Sequence, residues 1–192
     1  MIDPETRDGL TVKRILKVNH AGEHGAIRIY RAQIAVARRL WKDVVPFLEE
    51  TLSHEVKHCA AFREAMSSRG ARPCRIMALW GNGGYVLGFF TAIMGRQGIW
   101  ICTAEVESAV HRHMSDQLHF LSGRDTELRD MILGIQDEEL SHLNHAAERI
   151  TMSGWWPKAL GWFIFRATDA VIWLSTWGDS VRMARELRQA RS

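Results

Sequence analysis

Cysteine is scarce and poorly spaced in this sequence. Cys59, Cys74 and Cys102 form neither a Cys-x-x-Cys pair nor an even set, which speaks against a disulfide framework or a zinc cluster and for a reducing compartment. Only four prolines occur, at positions 4, 46, 73 and 157, so long stretches are free to be helical. Excess charge is also small. The formal net charge is +3, most of it from the Arg-rich stretch Arg182 to Arg191, and no aromatics are interleaved there for base stacking, so nucleic acid is not expected as a partner. The opening Met1-Ile-Asp-Pro-Glu-Thr has neither a charged-then-apolar signal pattern nor an Arg-rich transit pattern, and no export is expected from it. Gly81-Asn-Gly83-Gly-Tyr-Val86 lacks the third glycine of a dinucleotide fingerprint and no βαβ unit surrounds it. A built-in flavin or nicotinamide domain is therefore not expected, and reducing equivalents have to come from a bound small molecule or another protein.

What is present is ordinary globular composition, 46% apolar and 24% charged, in a length that suits a single domain over residues 1–192. Apolar positions at three- and four-residue steps (Val12, Ile15, Leu16, Ile27, Ile34) predict one long amphipathic helix over 11–40. A reversal is expected at Trp41 to Pro46, then a helix from Val45 to Ser68, stopped by the cluster Ser67 to Pro73. Residues 76–95 carry no charge, the length of a membrane span. Gly81-Asn-Gly-Gly84 in their middle weakens a continuous helix and exposes backbone that lipid cannot satisfy, so the segment reads as a broken, partly helical apolar crossover. Two further amphipathic helices, 98–121 and 126–152, meet at Ser122-Gly-Arg-Asp125. The last element, Trp155 to Arg191, holds five of the eight tryptophans, and Arg166 and Asp169 interrupt its apolar run. Two readings of it stay open: an interfacial helix over 155–192 at a membrane surface, or indoles packed onto the bundle.

Glu-x-x-His occurs twice, as Glu55-Val-Lys-His58 and Glu139-Leu-Ser-His142. On a helix, positions i and i+3 share a face, so one carboxylate and one imidazole can reach the same metal ion. Upstream of each copy stands a glutamate at the same distance: Glu23 is 32 residues before Glu55 and Glu107 is 32 residues before Glu139. Equal spacing is what two antiparallel helical hairpins need if their ligands are to meet at one height, and it selects Glu107 over Glu105. The turn of the second hairpin is expected midway, at residue 123, where a glycine stands. The fold expected is all-α, a ferritin-like four-helix bundle with additional apolar helices. The six residues Glu23, Glu55, His58, Glu107, Glu139 and His142 are the expected ligands, acting in catalysis through the metals. Four carboxylates balance two ferrous ions, and two neutral imidazoles complete the set while leaving positions for dioxygen. Tyr30 and His113 are candidate supports behind the ligands. Asp137 and Glu138 face solvent or serve as local supports.

Asn19-His20-Ala-Gly-Glu23-His-Gly-Ala26 with Arg28-Ile-Tyr30, then Glu55-Val-Lys-His58, Leu79-Trp80, Leu87 to Gly95, Cys102-Thr with Glu107, and Asp137-Glu-Glu139-Leu-Ser-His142 resemble the demethoxyubiquinone hydroxylase family, of the Coq7 or Clk-1 type, over most of residues 13–145. The resemblance implies a di-iron monooxygenase that hydroxylates a polyprenyl benzoquinone in ubiquinone biosynthesis with dioxygen and electrons from NADH. It also implies peripheral attachment to a membrane surface, the cytoplasmic face of a bacterial inner membrane or the mitochondrial inner membrane for a processed eukaryotic chain. A lipid-binding helper protein and a homo-oligomer are conceivable companions. The sequence departs from the family at His24, at Met114-Ser-Asp116 and beyond residue 150. The rival reading of the same six ligands is a rubrerythrin-like or ferritin-like iron oxidase or iron-handling protein.

Overall fold

A computed structural model describes residues 5–191, so Met1 to Pro4, on which part of the reading of the N-terminal stretch rests, lie outside the described residues. Among the described residues the chain forms seven α-helices and no strand: α1 (Arg7–Leu40), α2 (Val45–Ser68), α3 (Met77–Ile93), α4 (Arg96–Leu121), α5 (Thr126–Ala147), α6 (Trp155–Ser175) and α7 (Asp179–Arg191). The all-α expectation holds. Local chemistry marks the ends as the sequence suggests. Thr6 caps α1 by accepting from the Gly9 amide, Pro46 sits in the first turn of α2, and Asp125 caps α5 by accepting from Leu128. Gly123, at φ 73°, makes the turn between α4 and α5.

Two hairpins, α1–α2 and α4–α5, face one another and form the four-helix core, with α3 laid along α1 and with α6 and α7 laid along α4. Apolar packing concentrates at both ends of this bundle. Val12, Leu16, Phe62, Phe120 and Ile132 fill one end, and Ile34, Leu48, Ile99 and Trp100 fill the other. Between the two lies a polar layer, which holds the candidate site. Losing one of the fully buried leucines or isoleucines to alanine costs about 2–5 kcal/mol, so this frame is stiff.

Residues 76–95 depart from expectation. Met77–Ile93 form a continuous helix, not a broken crossover, and two of its glycines, Gly84 and Gly88, serve contact and not flexibility. A Cβ on Gly84 would stand 2.4 Å from the Gly25 carbonyl oxygen, and one on Gly88 would stand 2.3 Å from that of Ile29. Both side chains are therefore forbidden by close approach of the α1 and α3 backbones. The opposite face of α3 leaves Leu79, Val86, Phe90 and Ile93 exposed. No helix among the described residues is long and apolar enough to cross a membrane.

The last element is also corrected: it is two helices, not one. Thr176 ends α6, and Trp177 and Gly178, both at positive φ, reverse the chain. Asp179 is then buried against α1, where its Oδ2 accepts from Thr11 Oγ1 at 3.0 Å and from Arg14 Nη1 at 2.7 Å. Helix α5 stops at Ala147, short of the expected Met152, and its last turn leads into the irregular stretch 148–154 that returns the chain to α6.

Candidate metal centre

Each of the four core helices brings at least one acidic side chain inward at the polar layer. Glu23 comes from α1, Glu55 and His58 from α2, Glu107 from α4, and Glu139 and His142 from α5; all six are at most 5% exposed. Within each Glu-x-x-His the i, i+3 step sets carboxylate and imidazole on the same helical face. The ligand atoms fall into two overlapping groups, Glu23–Glu55–His58–Glu139 and Glu55–Glu107–Glu139–His142, each with its atoms within 4.8 Å of one another. Glu55 and Glu139 belong to both. Two adjacent positions sharing two carboxylates are thus built into the packing of the hairpins. Glu105, by contrast, points to α6, where its carboxyl lies against Gly161.

The electrostatics of this layer call for cations. Among the described residues no lysine or arginine pairs with any of the four glutamates. Burial pushes the Glu23 carboxyl up to about 7, a hydrogen bond with Glu55 opposes this, and the charge of Glu139 adds to it. Glu55 and Glu107 are held well above the usual range by burial first and by the neighbouring carboxylates next. Glu139 is the exception: burial would raise it, but hydrogen bonding to His142 and His58 holds it well below the usual range. The Glu55 Oε1 and His58 Nδ1 atoms are buried without a hydrogen-bond partner. His58 Nδ1 nevertheless stands 3.0 Å from Glu139 Oε1 and 4.0 Å from Glu23 Oε2. Carboxylate oxygens and imidazole nitrogens converging at such distances, with protons as the only positive charge to hand in the metal-free chain, are the arrangement that donors on a common metal ion adopt, and this donor set could hold iron.

Around the centre, Tyr30 Oη donates to Glu107 Oε1 at 2.7 Å and is itself fully buried. His113 does not join the cluster. Its Nε2 lies 2.8 Å from Asp169 Oδ1, so it ties α4 to α6. Asp137 and Glu138 are both exposed, and Glu138 also sets its Oε2 3.3 Å from His58 Nε2. Sequence reasoning leaves His54 among several histidines that could be supports or exposed residues and does not single it out; its Nδ1 is 3.0 Å from His142 Nε2. The available signal is position, four residues before His58 on the same helical face. Beside these residues opens a cavity of about 180 Å³ lined by Phe47, Glu50, Thr51, His54, Glu138, Ser141, His142 and His145.

A buried, cation-poor cluster of glutamates and histidines that could hold metal ions gives the protein the layout of a carboxylate-rich helical bundle. Residues 10–175 match the family of the ubiquinone biosynthesis protein COQ7, and the chain belongs to that family. Relatives include the mouse protein named NADPH-dependent 3-demethoxyubiquinone 3-hydroxylase, mitochondrial, 38% identical over 145 residues, covering 71% of this chain and 66% of that protein. The Dictyostelium discoideum protein of the same name is 32% identical over 178 residues, covering 91% of this chain and 81% of its own length. The 3-demethoxyubiquinol 3-hydroxylase of Rhodospirillum rubrum is 37% identical over 131 residues, covering 68% of this chain and 61% of that protein. The chain thus spans slightly less than two thirds of the mouse and Rhodospirillum relatives.

Proposed function

We propose that this chain is a 3-demethoxyubiquinone hydroxylase of ubiquinone biosynthesis, a single-domain di-iron monooxygenase acting on a polyprenyl benzoquinone. The observation that supports it most is the pair of overlapping donor groups inside a chain of a ubiquinone biosynthesis family whose relatives are named as 3-demethoxyubiquinone and 3-demethoxyubiquinol 3-hydroxylases. Glu23 and His58 would hold one iron, Glu107 and His142 the other, with Glu55 and Glu139 shared between them. When bound, the two irons would supply the activation of dioxygen that inserts one oxygen atom into a ring C–H bond, the second leaving as water with two electrons and two protons.

The protein's own residues set the conditions for that chemistry. Two apolar cores close the bundle above and below the polar layer and keep bulk water away from it. Tyr30 orients Glu107 through its hydrogen bond and, with its hydroxyl held well above its usual pKa by burial and by Glu107, stays protonated as a donor. The names of the mouse and Dictyostelium relatives give NADPH as reductant where the resemblance suggested NADH; this reading requires a reduced nicotinamide as the source, bound without a dinucleotide fold.

The exposed apolar faces support attachment to a membrane surface without crossing it. Leu79, Val86, Phe90 and Ile93 on α3 and Trp155, Trp162, Phe163, Trp173 and Leu174 on α6 stay in contact with solvent in the isolated chain. Contiguous faces of this kind accept a lipid surface, a polyprenyl tail or a lipid-binding helper protein. The test is anaerobic loading with ferrous ion followed by addition of oxygen, a reduced nicotinamide and a short-tailed demethoxyubiquinone. Hydroxylated quinone in proportion to iron supports the proposal, whereas iron oxidation without product would leave the oxidase reading standing.

A further inference from the structure

The two Glu-x-x-His segments are each preceded by a polar residue, His54 before Glu55 and Glu138 before Glu139, and each stands four positions before the histidine of its own helix. That spacing sets His54 above His58 on α2 and Glu138 above His142 on α5. The contacts, however, run across the hairpins. His54 Nδ1 meets His142 Nε2 at 3.0 Å, and Glu138 Oε2 meets His58 Nε2 at 3.3 Å. Both ligand imidazoles therefore turn their outer nitrogen to a residue of the opposite hairpin and their Nδ1 to the cluster.

The proton pattern follows. Glu138 is an acceptor toward His58, so the proton of that ring belongs on Nε2. His58 Nδ1 is then the nitrogen that faces the cluster, 3.0 Å from Glu139 Oε1. Between two imidazoles either ring can donate, and His54 Nδ1 also lies 3.6 Å from Glu138 Oε2. The tautomer of His142 with its proton on Nε2, donated to His54 Nδ1, is the one that turns its Nδ1 lone pair to the cluster, where Nδ1 lies 3.4 Å from Glu139 Oε2 and 3.9 Å from Glu55 Oε1. A metal-binding histidine needs such an outer acceptor to fix its ring and the position of its proton. We infer that His54 is a positioning residue for metal binding, which holds His142 with Nδ1 toward the metal from across the bundle.

This inference rests on the di-iron reading, and the experiment separates the two. Zinc, which is diamagnetic, is titrated against a competing chelator into the full chain and into its H54A, H54Q and H54L variants, with circular dichroism to follow helix content. Uptake of two zinc ions by the wild-type chain tests the metal reading itself. A Gln carbonyl can replace the His54 acceptor and Leu cannot. H54A and H54L are therefore expected to bind one of the two ions about 10- to 100-fold more weakly, and H54Q to stay within about threefold of wild type. Nitrogen-15 spectra of the zinc-loaded wild type are expected to show His142 protonated on Nε2, a feature that a purely structural His54 would not govern. Should H54A lose helix, H54L against H54Q carries the comparison. Equal zinc affinity in H54L and wild type, or His142 bound through Nε2, would overturn the assignment of His54 while leaving two-ion uptake intact; failure of the wild type to bind zinc would overturn both.

Discussion

Replacing Glu23 by glutamine tests the electrostatic logic of the centre without touching its shape. In the metal-free protein the Glu23 carboxyl is lifted by burial from an ordinary 4.5 to about 7. A carboxyl raised in the folded state binds its proton more tightly there than in the unfolded chain. Its stabilising effect is complete below pH 4.5, is lost as the pH rises from 4.5 to about 7, and does not change further above that. At about 1.4 kcal/mol per pH unit, the metal-free fold loses about 3 kcal/mol through this one group between pH 4.5 and pH 8. The glutamine amide does not titrate. In chelator-treated protein, the difference in unfolding free energy between E23Q and wild type should therefore move by about 3 kcal/mol in favour of E23Q between those two pH values. Comparing the two proteins at each pH cancels the titrating groups that Glu23 does not shift, including His20, His24, His113 and His145, which burial shifts downward in pKa, whereas Glu55 and His58 respond to the substitution themselves. Urea unfolding followed by circular dichroism measures it. An unchanged difference at pH 4.5 and pH 8 would refute the claim that burial holds Glu23 protonated until a cation replaces the proton. With metal present the order should reverse, because E23Q removes a ligand.

Four other outcomes follow from particular contacts. Glu55→Ala or Glu139→Ala, each removing a carboxylate common to both donor groups, should abolish uptake of both ions while retaining most helix, as metal analysis with circular dichroism would show. Tyr30→Phe leaves buried Glu107 without its donor; about 1–3 kcal/mol of stability should be lost, and metal loading should require a higher pH, read from uptake between pH 6 and 8. Gly88→Val drives a side chain into the α1 backbone and should cost about 3 kcal/mol in thermal or urea unfolding, whereas Gly83→Ala, which meets nothing within 4 Å, should be tolerated. Arg69→Ala breaks the paired hydrogen bonds of 2.7 and 2.9 Å to half-buried Asp125, joining the ends of α2 and α5, and should cost about 2–3 kcal/mol in the same assay.

Much of the fold is readable because helix patterns repeat locally. The apolar steps through Val12, Ile15 and Leu16, the stop at Ser67 to Pro73 and the glycine at 123 place α1, α2, α4 and α5 to within a few residues, apart from the last turns of α5. The equal 32-residue intervals bring Glu23, Glu55, Glu107 and Glu139 to one level, since matched hairpins put equal numbers of turns on both arms. What local patterns cannot supply is the partner. Gly84 looks like a helix breaker until the α1 backbone is seen against it and against Gly88, and their cost in chain entropy is then offset by close packing. The break at Trp177 and Gly178 is set by Asp179 reaching Arg14 and Thr11, 165 and 168 positions earlier, which no window of sequence reveals. His113 goes to Asp169 for the same reason, because α6 folds back on α4. His54 is one of several histidines that the sequence offers as supports, and it is not singled out because its partner is a nitrogen of the opposite hairpin.

The most direct test of the account is the metal content of the purified, iron-loaded chain measured together with oxygen-dependent conversion of a short-tailed demethoxyubiquinone by reduced nicotinamide. Two irons per chain with hydroxylated quinone as product is the predicted result. Fewer than two irons, or two irons that consume oxygen without hydroxylating the ring, would contradict it.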